Sequence, residues 1–176
     1  PDWQDNLTPA FVSFALATVG HKVACVFRCI RASNTGINGV TFGAISSNGS
    51  LDVRLETVDD ATGNPTGTLF GASTNGTLSF TTGDANTYKT VALGGTAVLS
   101  LGSKIALVCV LNSGNCNLKA TVNNQKQFPY SLTYNGASWT KDERPLCLYL
   151  HDSVPSSENI PGLFTLSSLA QITFTS

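Results

Sequence analysis

Two histidines, eleven carboxylates and five cysteines are the groups in this chain that could carry acid–base, nucleophilic or metal chemistry. Neither His21 nor His151 stands beside a serine or cysteine in a nucleophile motif such as GxSxG, which presents a serine to a base. His151 and Asp152 are adjacent, but in a strand adjacent side chains point to opposite faces, so they read as polar residues at a strand end. Asp52 and Glu56 share a strand face about 13 Å apart. That exceeds the roughly 5–9.5 Å that carboxylate pairs use in glycoside hydrolysis. Arg54 alternates with them, so a solvated charged face is expected. The run Asp59-Asp60-Ala61-Thr62-Gly63-Asn64 reads first as a turn. Asp59, Asp60 and Asn64 are weak calcium candidates, because the run lacks the spacing of an EF-hand loop. No CxxC or Cys/His ligand spacing appears, so zinc is not expected. These groups do not add up to an enzyme, and no cofactor is expected.

Aromatic side chains are the better handle for a ligand. Tyr130 and Tyr134 fall on one face of a strand, and Trp139 follows the Asn135-Gly136 turn. Such planes can stack on sugar rings while Asn and Asp fix hydroxyls; the alternative is that the three pack in the core or at a subunit contact. Three Asn-x-Ser/Thr sequons, at Asn6, Asn48 and Asn75, matter only if the protein is secreted.

The five cysteines are Cys25, Cys29, Cys109, Cys116 and Cys147, and an odd count leaves a thiol over. Cys25 and Cys29 lie four apart in a strand, about 13 Å, too far for a disulfide. Cys109 and Cys116 flank the expected turn at Ser113-Gly114, which sets Cys116 opposite Leu111 and Cys109 opposite Leu118. A cross-strand bridge is out of register. Reduced, mostly buried thiols are expected, which fits synthesis in a reducing cytosol.

The elements that must position these residues are strands. The 176 residues suffice for one sizeable domain, and Thr 21, Ser 18, Asn 14 and Gly 16 favour strands and turns over helices. Leu51-Asp-Val-Arg-Leu-Glu-Thr-Val58 alternates strictly, with Leu51, Val53, Leu55 and Thr57 on one face. Val23 to Arg31 is apolar on both faces, as in a central strand. Further strands are expected at 39–45, 77–81, 87–93, 104–111, 117–122, 128–134, 146–151 and 169–175. Turns are expected at Asn48-Gly49, Gly63-Asn64-Pro65, Asn75-Gly76, Gly94-Gly95, Ser113-Gly114, Asn135-Gly136 and Pro161-Gly162. About ten short strands at this spacing predict an all-β antiparallel sandwich of the jelly-roll kind. Pro9 to Val19 fits either a strand or a short N-terminal helix capped by Thr8.

Charged residues are 12%, with a net charge of −1. That argues against a nucleic-acid binder, which needs a basic surface, and the 41% hydrophobic content argues against disorder. No apolar run of about 18 residues is present, so no helical membrane span is expected. The N-terminus, with Pro1, Asp2 and Asp5, lacks the basic region of a secretory signal. The chain contains no Met, so either an initiator was removed before Pro1 or this is a piece of a longer chain. Residues 1–22 read as an N-terminal arm and 23–176 as one sandwich. The arm is rich in apolar bulk, and Trp3, Phe11 and Phe14 are expected to anchor it on a neighbouring subunit; the alternative is that it covers one end of the chain's own sandwich.

Three stretches carry a resemblance: Leu51 to Val58, then Asp60-Ala-Thr-Gly-Asn-Pro-Thr-Gly-Thr-Leu69, then Leu101-Gly-Ser-Lys-Ile-Ala-Leu-Val108. Together they resemble jelly-roll β-sandwich modules of phage virion proteins and bacterial surface proteins, over residues 23–111. In those modules a strand enters a Gly-x-Pro-x-Gly-x-Leu turn, and a later Leu-x-x-Gly element leads into a central strand. The aromatic that usually follows the late glycine is absent, and Ile105 stands near its place. The resemblance implies a scaffold for adhesion, sugar binding and virion assembly, with no catalytic residue to carry over. Two functions follow as expectations. One is a non-catalytic structural protein of a bacteriophage virion (capsid decoration, tail or fibre). It would assemble in the host cytoplasm with other virion proteins and copies of itself, and could contact host-surface carbohydrate. The other is a carbohydrate-binding module of a secreted or cell-surface protein.

Overall fold

A computed structural model of the chain describes residues 11–29, 36–121, 130–142, 144, 146 and 148–151. Trp3, Asp152, Cys147 and the strand expected at 169–175 lie outside the described residues. Within them the fold is all-β and antiparallel, as the alternation predicts. The strands are β1 (Phe11–Leu16), β2 (Lys22–Arg28), β3 (Ile37–Val58), β4 (Pro65–Leu69), β5 (Asn75–Phe80), β6 (Tyr88–Ala97), β7 (Lys104–Thr121), β8 (Tyr130–Tyr134), β9 (Trp139–Asp142) and β10 (Leu148–His151). The segment 11–16, which the sequence left between helix and strand, is a strand.

Two strands organise the rest. β3 has 22 residues and β7 has 18, against the usual 3–10. They pair antiparallel from Ala44↔Leu118 to Thr57↔Ile105. The turns expected at Asn48-Gly49 and Ser113-Gly114 are therefore not hairpins. The two signals meet each other in mid-ribbon, with Asn48 opposite Asn115, Gly49 opposite Gly114 and Ser50 opposite Ser113. Gly94-Gly95 likewise lies within β6 rather than at a turn. The pairing slips by one residue between Ala44 and Ser46, and again between Ser50 and Leu51. Such bulges bend and twist a ribbon, which lets a long strand curl instead of running straight.

The bend splits the sheet. Along one side of β3 lie β10 and then β7; along the other lie β6, β5 and β4. At the fork, where β3 departs from β7, Leu146 pairs with Ala120 and Leu148 pairs with Phe42. β7 carries β1 and β2 on its other edge. Phe11↔Thr121, Leu16↔Cys116, Lys22↔Val110 and Arg28↔Lys104 all keep one register, so β1 and β2 are two halves of one line broken at residues 17–21. β1, within the stretch read as an N-terminal arm, is a strand of this sheet. Beyond β2 come β8 and β9.

The inner face holds the core. Leu51, Val53 and Leu55 of β3 and Ile105, Leu107 and Cys109 of β7 are fully buried there, with Val40, Phe42, Leu111 and Leu118. Phe14 joins them with 3% exposure, and Arg144 lies over its ring at 4.9 Å. Phe14 is thus held in the chain's own core, the alternative that the sequence left open for this stretch. β2 is buried on both faces, as its composition predicts: Ala24 and Val26 form a second cluster with Ala106, Val108 and Leu132 on the outer face.

Cys25, Cys109 and Cys116 are buried free thiols. Burial pushes Cys25 and Cys116 up from the ordinary 9.0 to about 11, and Cys109 further still. The folded state keeps these protons where the unfolded chain releases them. Their contribution to stability is therefore whole below about pH 9 and is lost as pH rises toward 11. The expected result is a urea midpoint that is level up to pH 9 and falls above it. Mass-spectrometric labelling at pH 8 should leave these three thiols unmodified until denaturant is added; labelling of native Cys109 would contradict the burial.

Candidate functional site

The structure brings two of the three aromatic candidates together. Tyr134 and Trp139 are directly paired across the β8–β9 hairpin, with ring centroids 5.2 Å apart and planes tilted at 48°. Lys22 Nζ lies 5.1 Å from the Tyr134 ring, and the Tyr134 hydroxyl donates to the Gly136 carbonyl at 3.0 Å. Asn135 fixes the turn by accepting from the N–H groups of Ala137 and Ser138. Trp139 is half-buried and packs on the outer-face cluster. Tyr130 is engaged elsewhere. Its hydroxyl donates to the Gly63 carbonyl at 2.8 Å, and Lys141 Nζ sits 5.2 Å from its ring. It staples the 59–64 turn onto the sheet, while Tyr134 and Trp139 stay partly exposed.

The carboxylates of the 59–64 turn have separate tasks. Asp59 accepts from the Ala61 N–H at 3.0 Å and from the Thr62 hydroxyl at 2.7 Å, and these bonds hold its carboxyl below the usual range. Asp60 faces Lys104 Nζ at 2.6 Å. Asn64 closes the turn, its backbone carbonyl accepting from the Asp59 N–H. This is the geometry of an Asx turn, and no cluster of three metal-ligating side chains occurs among the described residues.

Glu56 corrects the expected solvated face. It is 2% exposed. Asp52, Arg54 and Glu56 do share the outer face, but Glu56 and Arg54 lie opposite Ala106 and Val108 of the second cluster. One Glu56 oxygen accepts from the Gly67 N–H at 2.9 Å; the other lies 3.1 Å from Arg54 Nε. Arg54 also donates to the Gly67 carbonyl at 2.9 Å. The pair locks the β3–β4 hairpin.

The fold also sets a hydroxyl on an imidazole, a contact no local spacing could reveal. Thr41 Oγ1 is 2.7 Å from His151 Nε2 and 2.6 Å from Thr90 Oγ1. A threonine beside a histidine is the outline of a nucleophile and its base. Here Thr41 is 1% exposed and bonded on both sides, so the contact clamps β6, β3 and β10 together. His21 sits in the corner between β1 and β2, where its carbonyl accepts from the Leu111 N–H.

One cleft was not foreseen. It has a volume of about 420 Å³ and is lined by Ser46, Ser47, Asn48, Thr82, Asn115 and Asn117. Its floor is the bent ribbon where the two turn signals cross. Ser46 lies opposite Asn117, and Asn117 Nδ2 donates to Ser46 Oγ at 3.0 Å. Ser47 Oγ accepts from the Asn117 N–H at 2.9 Å. Thr82 forms the wall from a 3₁₀ turn, Thr82–Asp84. That turn is fixed by Asp84, which accepts from the Thr81 N–H and hydroxyl and from Lys89 Nζ, contacts that bring its carboxyl down to about 2. Asn48 and Asn115 belong to the two expected turns and Asn117 to an expected strand, and only the pairing across the ribbon makes these residues one surface. No family model, curated protein or solved structure matches the chain.

Proposed function

We propose that the chain is a non-catalytic structural protein of a bacteriophage virion, a capsid decoration, tail or fibre component built on a jelly-roll sandwich. The observation that carries this reading is the set of three buried free thiols, Cys25, Cys109 and Cys116. Thiols left free and buried inside a β-sandwich suit a protein that folds in a reducing cytosol, and a virion protein then leaves that compartment with its thiols shielded. The low charge supports it as well, since copies of such a chain repel one another weakly. In this reading its partners are other virion proteins and further copies of itself.

A second reading is a carbohydrate-binding module, favoured by the paired and partly exposed rings of Tyr134 and Trp139. The two meet if a fibre holds host-surface glycans. Immunoelectron microscopy with antibodies to the purified chain, on particles from the source culture, tests the first. Regular labelling of particles is the expected result. Antigen confined to a cell-wall or secreted fraction would overturn it in favour of the second.

A further inference from the structure

We infer that the cleft between β3, β7 and the Thr82 turn is a binding site for a neutral oligosaccharide. The inference stands on the cleft alone, independent of the virion reading and of the Tyr134–Trp139 pair.

The residues that line it are Ser, Thr and Asn, with no charged side chain among them, and their carbon atoms set apolar surface beside the hydroxyls and amides. An ion would find no counter-charge there, nor would the charged side chains of a peptide. A chain of hydroxyls finds donors and acceptors of both kinds, because Ser, Thr and Asn each supply both. Asn48, Asn115 and Thr82 make no side-chain hydrogen bond within the described residues, so their groups remain available to a ligand. Asn117 is already oriented by Ser46, which fixes one wall without occupying the opening.

The geometry suits an extended ligand. Ser46, Asn48 and Ser50 face Asn117, Asn115 and Ser113 in sequence, a ladder that continues to the Ser50–Ser113 hydroxyl contact at 2.9 Å. From residue 46 to 50 the ladder runs about 13 Å, longer than one sugar ring. Both bulges fall in or beside this stretch, so the floor is curved instead of flat. The volume lies within the range of small-molecule sites, roughly 300–1,000 Å³. Without an aromatic platform, affinity in the millimolar range is expected.

The test is a ¹H–¹⁵N titration of the full chain with cellotriose, chitotriose and maltotriose, with glycerol as control. At least one trisaccharide is expected to shift the amides of residues 46–50 and 113–117 and the side-chain amides of Asn48 and Asn115. The shifts should saturate, and glycerol should not reproduce them. The double variant Asn48→Ala/Asn115→Ala should weaken binding more than tenfold, and Thr68→Ala, on the exposed β4, should leave it unchanged. Should the double variant fail to fold, Thr82→Arg fills the cleft from outside the sheet and should abolish the same shifts. Saturable shifts confined to Tyr134 and Trp139 would overturn the inference, as would no saturable shift with any of the three sugars.

Discussion

Gly114→Ala is expected to cost on the order of 4 kcal/mol, a large part of the ~5–15 kcal/mol that holds a domain of this kind together. Gly114 sits at φ +65° in the middle of β7. A side chain there adopts the left-handed conformation at a cost of about 1–2 kcal/mol. The added Cβ would also lie well inside contact distance of the Asn48 carbonyl oxygen and the Gly49 backbone. Those atoms belong to the paired strand and cannot rotate aside, so the ribbon must part at this crossing. Gly136→Ala is the control. Gly136 has φ +97° but nothing within 4 Å of the added carbon, so only the backbone penalty of about 1–2 kcal/mol applies. Urea denaturation followed by circular dichroism measures both. Equal losses in the two variants would show that the β3–β7 crossing is not the tight contact described.

Removing the Glu56 carboxylate is the second large effect expected. Glu56→Ala should cost about 1–3 kcal/mol, the penalty for leaving a hydrogen-bonding group without its buried acceptor, because Arg54 is a third exposed and keeps access to water. It leaves the Gly67 N–H without its acceptor and takes the counter-charge from the Arg54 guanidinium, which keeps its bond to the Gly67 carbonyl. Glu56→Gln keeps a carbonyl for Gly67 and the side-chain volume, so it should cost less than half as much. Salt separates this pair from the surface ones. The Glu56 effect should persist in 1 M NaCl, where the Debye length is about 3 Å. Lys104→Ala, which removes the pair with the exposed Asp60, should cost under about 1 kcal/mol and approach zero there. A Glu56→Ala protein as stable as the parent would mean that the hairpin holds without the charge.

The sequence by itself determined the fold class, the antiparallel pairing mode and the inward residues. Alternation with period two is local: each step along a strand turns the next side chain to the other face. Leu51, Val53 and Leu55 therefore announced their burial, and the apolar run from Val23 announced a strand covered on both faces. The register of β8 on β9 was not legible: a two-residue tip at Asn135-Gly136 would set Tyr134 opposite Ala137, whereas the folded hairpin sets it opposite Trp139. Tertiary structure decided the rest. Asn48-Gly49 and Ser113-Gly114 carry identical turn chemistry whether the chain reverses there or merely passes close to another backbone. Which one happens depends on the partner strand, more than 60 residues away. Glu56 became buried against Ala106, 50 residues on, and Thr41 met His151, 110 residues on. The cleft has the same origin: its serines and asparagines are ordinary loop formers one by one, and they become one hydroxyl-and-amide surface only because the register of β3 on β7 sets them side by side.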